Sequence, residues 1–435
     1  MLQVMKHTRQ GLTCKRDRNA KNWGVCLRLP AKTLLIAVFL GWVSLAPLHA
    51  QSDDGSGQQS TFQFGPLKVD VKAVFEAEFN DNINYSNNDK QSDIILRPGL
   101  IVAANCPLTE LNTLSLQFGV SYEDYLIHKD LSSYTNFAEV SPDSKLAFSM
   151  RFNTFTLTIY DSFNYSVQPS DAFAVNPSTL AIITNVRAFG RFMNQLGLNG
   201  NWDLGSVVLY GGVYRYDVFP QQSEFAFLRR WQYTASLGAR YQFDNGLSLK
   251  FDGSYTLNYY AQNLENNSTS WYIGPTLAGP LGKNWTFSAT VGFTDYHFDD
   301  NGTNGDTSQP ASYTGELSVS NKTSKTVNQT LTLTQASSFG YVSNAITIDR
   351  VSYKCDWLMQ PKMDLILYAY WEQGKDSGGL APETYEKFVI SPELDWDYTK
   401  RMSFYAYYEF TDKFSNFSDR NYTRDRIVIG ARYAF

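Results

Sequence analysis

Two histidines stand in the body of the chain, His128 and His297. His297 has Asp295, Asp299 and Asp300 within three positions, the residue types of an acid-held general base. A hydrolase built on it needs a nucleophile beside the imidazole and a third group orienting the ring. Ser288 and Ser312 are of the right type, but no spacing ties either to His297, so the group reads as the polar rim of a loop. The run Asp299-Asp300-Asn301-Gly302-Thr303-Asn304-Gly305-Asp306 is rich in oxygen ligands of the kind calcium takes. Aligned on Gly305, it puts Asp300 and Asn304 at the first and fifth positions of an EF-hand loop. Gly302 then falls at the third position, and Ala311 falls where the bidentate Glu belongs, so the run reads as a solvated turn. No Gly-rich phosphate loop follows a strand and opens a helix. Asn284-Trp285-Thr286 and Asn421-Tyr422-Thr423 are glycosylation triplets by composition only. The expectation is no catalytic residue, no metal and no cofactor.

The elements that carry these residues begin after a distinct leader. Lys6, Arg9, Lys15, Arg16, Arg18, Lys21, Arg28 and Lys32 precede an apolar run, Leu34 to Leu45, and Ala46-Pro47-Leu48-His49-Ala50 follows it. The run is too short for a membrane span and has the form of a secretory signal peptide, residues 1–50, followed by a short Gln/Ser/Gly-rich polar linker, 51–65. Without the leader, basic residues fall from 37 to 29 and acidic ones from 42 to 41, a balance near −12 that argues against nucleic acid. Cys106 and Cys355 remain; two cysteines make no disulfide framework, and both are expected as free thiols. Aromatics reach 15% of the chain while mean hydropathy is −0.32, which excludes a polytopic helical membrane protein and suits two lipid–water interfaces.

From residue 66 to 435 the pattern has period two. Leu67, Val69, Val71, Ala73, Phe75, Ala77 and Phe79 alternate with Lys68, Asp70, Lys72, Val74, Glu76 and Glu78. Trp231 to Phe243 and Leu247 to Tyr259 alternate in the same way, joined by a tight Asp244-Asn245-Gly246 hairpin. About eighteen such segments occur, within a range of 16–18, the sixth expected over 185–198 with a turn at Asn199–Gly205. Their connections alternate short and long without a break. In lipid, a sheet with apolar rows outward satisfies its backbone and removes its edges by closing. The fold expected is all-β: a transmembrane antiparallel up-and-down barrel with short periplasmic turns and long extracellular loops. Trp202, Trp231, Trp271, Trp285, Trp357, Trp371 and Trp396 fall near strand ends, where interfacial girdles belong.

Ile427, Ile429, Ala431, Tyr433 and Phe435 alternate with Arg426, Val428, Gly430, Arg432 and Ala434. This segment resembles the terminal strand of Gram-negative outer-membrane barrels, and the whole body resembles bacterial outer-membrane β-barrel porin families. The resemblance implies an assembly signal at Ile427, Ile429, Ala431, Tyr433 and Phe435, with the barrel-assembly machinery and periplasmic chaperones as partners in biogenesis. It also implies an outer-membrane location among lipid and lipopolysaccharide, and allows a homo-oligomer.

In such a barrel the polar rows line the lumen. Arg151, Arg187, Arg191, Arg215, Arg240 and Lys250 are expected inward across the middle of the chain. Glu76 and Glu78 are expected inward on the first strand, and Glu393, Asp395, Asp397 and Glu409 near the end. First and last strands are neighbours in a closed sheet, so an acidic wall, interrupted by Arg426 and Arg432, should face a basic one. The function expected is a porin-like channel passing small hydrophilic solutes by diffusion. A polysaccharide export pore and a surface adhesin or structural barrel are the alternatives; mixed lumen charge argues mildly against an export pore for an anionic polymer.

Overall fold

The computed structural model describes residues 62–135, 144–166, 190–221, 223–340, 343–379 and 381–435. The leader 1–50 lies outside them. Among the described residues, eighteen strands form the barrel wall. In chain order they are β1 (Leu67–Asn80), β2 (Asp93–Pro107), β3 (Asn112–Tyr125), β4 (Ser144–Phe152), β5 (Phe155–Ser166), β6 (Arg191–Asp203), β7 (Val207–Pro220), β8 (Arg230–Gln242) and β9 (Ser248–Tyr260), followed by β10 (Ser268–Pro280), β11 (Trp285–Phe298), β12 (Ala311–Lys322), β13 (Val327–Phe339), β14 (Ala345–Gln360), β15 (Met363–Asp376), β16 (Thr384–Trp396), β17 (Met402–Ser415) and β18 (Tyr422–Ala434). Each pairs antiparallel with the next, and β18 closes on β1 from Lys72↔Ala434 to Asn80↔Arg426. Among the described residues every wall strand has a partner on each side, and closure removes the edges that the hydrocarbon of a bilayer would penalise heavily.

Side-chain alternation divides every strand. Phe75 and Phe79 on β1, Leu237 on β8, Val291 on β11, Tyr313 on β12 and Ile429 on β18 stand exposed on the outer face. Glu78, Val428 and Thr411 point the other way and are fully enclosed. An apolar exterior around a polar interior is the inverse of a soluble protein, and it makes the wall membrane-spanning. Exposed rings gather at both ends of the wall: Trp202, Trp285, Trp396, Phe152 and Tyr433 at the short-turn end, Trp271, Trp371 and Phe79 toward the long-loop end. Ile427, Ile429, Tyr433 and Phe435 are all on the outer face.

The prolines explain where the wall is irregular. Beside Pro98 the β2–β3 ladder lacks pairs between Leu96↔Asp124 and Gly99↔Ser121. Pairs are likewise missing beside Pro275, between Ile273↔Phe293 and Thr276↔Thr290, and beside Pro392, between Ile390↔Phe410 and Glu393↔Tyr407, with the register unchanged on either side. A proline has no N–H to give its neighbour, so one ladder bond is lost while the opposite ladder persists.

Two expectations are corrected. The segment 51–65 is not linker throughout, because Phe62–Phe64 forms a strand against β1, with Phe62↔Val69 and Phe64↔Leu67 in register. Gly65 turns the chain at φ +59°, a conformation that favours glycine. The sixth strand runs to Asp203 rather than ending at 198. Asn199, Gly200 and Asn201 have turn-forming types, but here the asparagines alternate into the lumen, and Gly200 leaves room for the Phe155 ring on β5.

Candidate functional site

The candidate site is the lumen. Its residues come from one face of each strand, and closure brings the two ends of the chain together. Arg97 on β2 bonds Glu78 on β1 at 2.6 Å and Glu123 on β3 at 2.9 Å. Arg426 on β18 reaches Glu78 at 2.9 Å and Glu409 on β17 at 3.2 Å, and Arg424 holds Glu409 at 2.6 Å. Arg432 pairs with Asp395 at 3.0 Å, and the Tyr405 hydroxyl donates to Glu76 at 2.5 Å. The wall expected to be acidic is therefore a neutralised lattice. Each carboxylate faces a guanidinium, because burying either charge without the other is costly.

A second cluster continues around the wall. Arg350 on β14 binds Glu372 on β15, which also accepts from Tyr385 at 2.7 Å and lies 3.4 Å from Lys387 on β16. Lys413 on β17 bonds Glu383 in the β15–β16 loop at 2.8 Å. From β8 to β13 the lining changes to hydroxyls, with Thr234–Thr256, Thr276–Thr290 and Ser318–Thr332 pairs at 2.8–3.1 Å. The lining also changes along the axis. At the loop end Glu78, Glu372 and Arg424 are enclosed, whereas Arg151, Arg240 and Lys354 nearer the turn end are exposed to the interior. The more exposed part of the lining is therefore the turn-side half.

Inward tyrosines lie flat on the wall. A Cβ at Gly238 would come within 2.4 Å of the Tyr210 ring, whose hydroxyl donates to Asp252 at 2.6 Å. Glycine on the neighbouring strand lets the ring lie against the sheet instead of projecting into the channel.

The sequence-derived lining residues fare unevenly. Arg151, Arg191, Arg240, Lys250, Glu76, Glu78, Glu393, Asp395 and Glu409 occupy inward positions. Lys250 is paired with Asp252 at 2.8 Å, and Arg191 is buried at the loop end of β6. Arg215 is not in the lumen. In β7 the inward row is Val208, Tyr210, Gly212, Tyr214 and Tyr216, so Arg215 shares the outer face with exposed Val213 and sits opposite exposed Leu196 and Tyr233. Tyrosine and glycine form the inward row there, and polarity alone misassigns the face. Asp397 follows the end of β16 and stands exposed in the turn rather than on the wall. Arg187 lies outside the described residues. Arg97, Glu123, Arg350, Glu372 and Lys387 are additional lining residues; a single charge inside an otherwise apolar run, as in Ile94-Ile95-Leu96-Arg97, was the available signal.

The chemistry-bearing loop residues are committed elsewhere. His297 and Asp295 are on the outer face, where Asp295 accepts from the Trp271 indole at 3.1 Å, while Ser288 and Ser312 face the interior. Asp306 takes bonds from Ser308, Ser377 Oγ at 2.6 Å and the Asn344 backbone at 2.8 Å. Asn266 ties Asn344 at 2.8 Å and the Asp306 carbonyl at 3.0 Å. Four loops are thus interlocked over β9–β15. Within them Glu265 accepts from Asn304 at 2.9 Å with its other oxygen unpartnered, and burial pushes its carboxyl up to about 7. Among the described residues no group of three or more potential ligands is placed to hold a metal ion. Cys106 and Cys355 are free.

No protein-family model matches the chain, and no curated protein matches it in sequence. Solved structures do match in fold. A BenF-like porin from Pseudomonas fluorescens Pf-5 superposes with a TM-score of 0.54 at 12% identity, over 85% of this chain and 99% of that one. Pseudomonas aeruginosa OccK2 (OpdF) in complex with glucuronate gives 0.51 at 12% identity, over 85% and 98%. The fold is that of the outer-membrane porins: a closed eighteen-strand antiparallel barrel.

Proposed function

We propose that this chain is an outer-membrane porin that passes small hydrophilic solutes by diffusion, without chemistry. The observation that carries the reading is a closed wall, apolar outside and polar inside, with charged side chains exposed on the turn-side lining. Lumen charge there is unevenly distributed. Arg151 on β4 and Arg240 on β8 are exposed cations, while Asp364 and Glu393 stand on β15 and β16 beside the Asp395–Arg432 pair. By strand count β15 and β16 lie seven and eight strands from β8 in the wall of eighteen, close to half a turn, so a solute in transit meets different charge on its two sides. The similar fold of OccK2 holds glucuronate, and a sugar acid has hydroxyls for the Thr-lined arc and a carboxylate for the cations. The assay is single-channel recording in a planar bilayer, with liposome uptake of neutral sugars and sugar acids. Steady ohmic conductance with sugar-acid uptake is expected. A pore that stays shut until a polymer or partner protein is added would overturn the reading in favour of export.

A further inference from the structure

We propose that the outer face of β7 and β8, near the loop end, binds the phosphate of an anionic lipid headgroup through Arg215 and Arg229. This rests on the membrane-spanning reading of the wall. Arg215 is on the lipid side, its side chain 48% exposed. It sits among apolar neighbours and its guanidinium lies over the Tyr233 ring, 5.6 Å from the centroid. Nε and Nη2 are held by Asp217 at 2.9–3.0 Å. That grip fixes the plane of the guanidinium and leaves Nη1 without a protein acceptor among the described residues. Two rows further toward the loops, Phe219 supports Arg229, whose guanidinium lies 5.2 Å from the ring centroid and carries no protein carboxylate among the described residues.

An arginine facing lipid is costly unless it reaches the headgroup layer, and a planar guanidinium with a free edge matches a phosphate. Arg229 immediately precedes β8 and stacks on Phe219, which lies four residues beyond Arg215 along β7, about 13 Å at the rise of a strand. The two arginines therefore span the depth of an interfacial region, with Trp231 opposite Asp217 between them. Elsewhere on the outer face at this end the charges include Asp295, Asp349, Asp412 and Asp425. Those carboxylates repel phosphate, so the anionic headgroup should be held at β7–β8 rather than all around the rim.

The test is native mass spectrometry of the full folded barrel in a phosphate-free detergent, titrated with bis-phosphorylated lipid A. Wild type should retain it. The double variant R215Q/R229Q should bind about thirtyfold more weakly, at roughly fivefold per basic residue near an anionic surface. D217N should bind more tightly than wild type, because it removes the competing carboxylate; a purely structural ion pair would predict no such gain. K375Q, which removes another outward cation at the loop end, should leave binding unchanged. Equal binding by R215Q/R229Q and wild type would overturn the site. So would equal retention of dephosphorylated lipid A, or displacement of lipid A by equimolar inorganic phosphate. Gel migration before and after heating reports whether each variant is a folded barrel. If the double variant does not fold, the two lipid arms on wild type still decide the matter. A wild-type chain that forms no barrel in detergent would instead sink the membrane reading itself.

Discussion

Glu265 gives the interlocked loops a dependence on pH whose sign and size follow from its surroundings. The side chain is 2% exposed. Burial is the dominant influence and raises its proton affinity; Asp306 and Asp376 add to that, while the Asn304 bond and Arg230 oppose it, and the net position is about 7 against an ordinary 4.5. A closed cap therefore holds the proton that an open, hydrated loop releases. Stability of the closed cap is greatest below pH 4.5, declines as pH rises through the interval, and levels off above about 7. Between pH 5 and pH 8 the closed form loses about 2.5 kcal/mol, a factor of roughly seventy in the opening equilibrium. The assay is amide hydrogen exchange of residues 261–267 and 299–306, corrected for intrinsic rates, in detergent or nanodiscs. Thr303 and Asn304 donate backbone bonds to the Leu264 carbonyl at 3.0 and 2.8 Å and report the contact directly. Glu265→Gln keeps an acceptor for Asn304 but cannot ionise, so its protection should be flat with pH. Wild-type protection that does not fall between pH 5 and 8, or a Gln variant that falls equally, would refute the reasoning.

Two further outcomes separate the lumen from the lipid face and test the seam. Substituting Arg151 and Arg240 together by Gln should shift the channel toward cation selectivity in reversal-potential measurements, while Arg215→Gln should leave selectivity as it is; the opposite ranking would contradict the register. Glu78→Gln leaves Arg97 and Arg426 facing each other inside the β18–β1–β2 seam without their shared carboxylate. Breaking a buried ion pair in this way costs about 3–5 kcal/mol, to be read as a lower urea midpoint for the folded barrel, and an unchanged midpoint would show the cluster to be hydrated rather than buried.

Much of this molecule is written in local patterns. A strand shows alternate residues to opposite faces whatever its neighbours are, so the apolar row Phe75, Ala77, Phe79 and the polar row Glu76, Glu78, Asn80 are visible before any fold is known. Short polar connections such as Asp244-Asn245-Gly246 mark one end of the wall, and the count of segments then fixes a closed sheet of about eighteen. Trp and Tyr near segment ends locate the interfaces for the same reason. Other features were not local. Arg215 carries a charge on a lipid-facing row, and only its register against Leu196 and Tyr233 shows which side it occupies. Glu76 and Glu78 looked like an acidic wall, but Arg97 and Arg426, neighbours through pairing across strands, compensate them. The bonds of Asp306 to residues 38 and 71 positions away, and of Asn266 to one 78 positions away, have no sequence signature at all. Alternation is a property of one strand and can be read from the chain alone. Which charge meets which, and which loops lock together, depends on how the cylinder closes, and that only the tertiary structure decides.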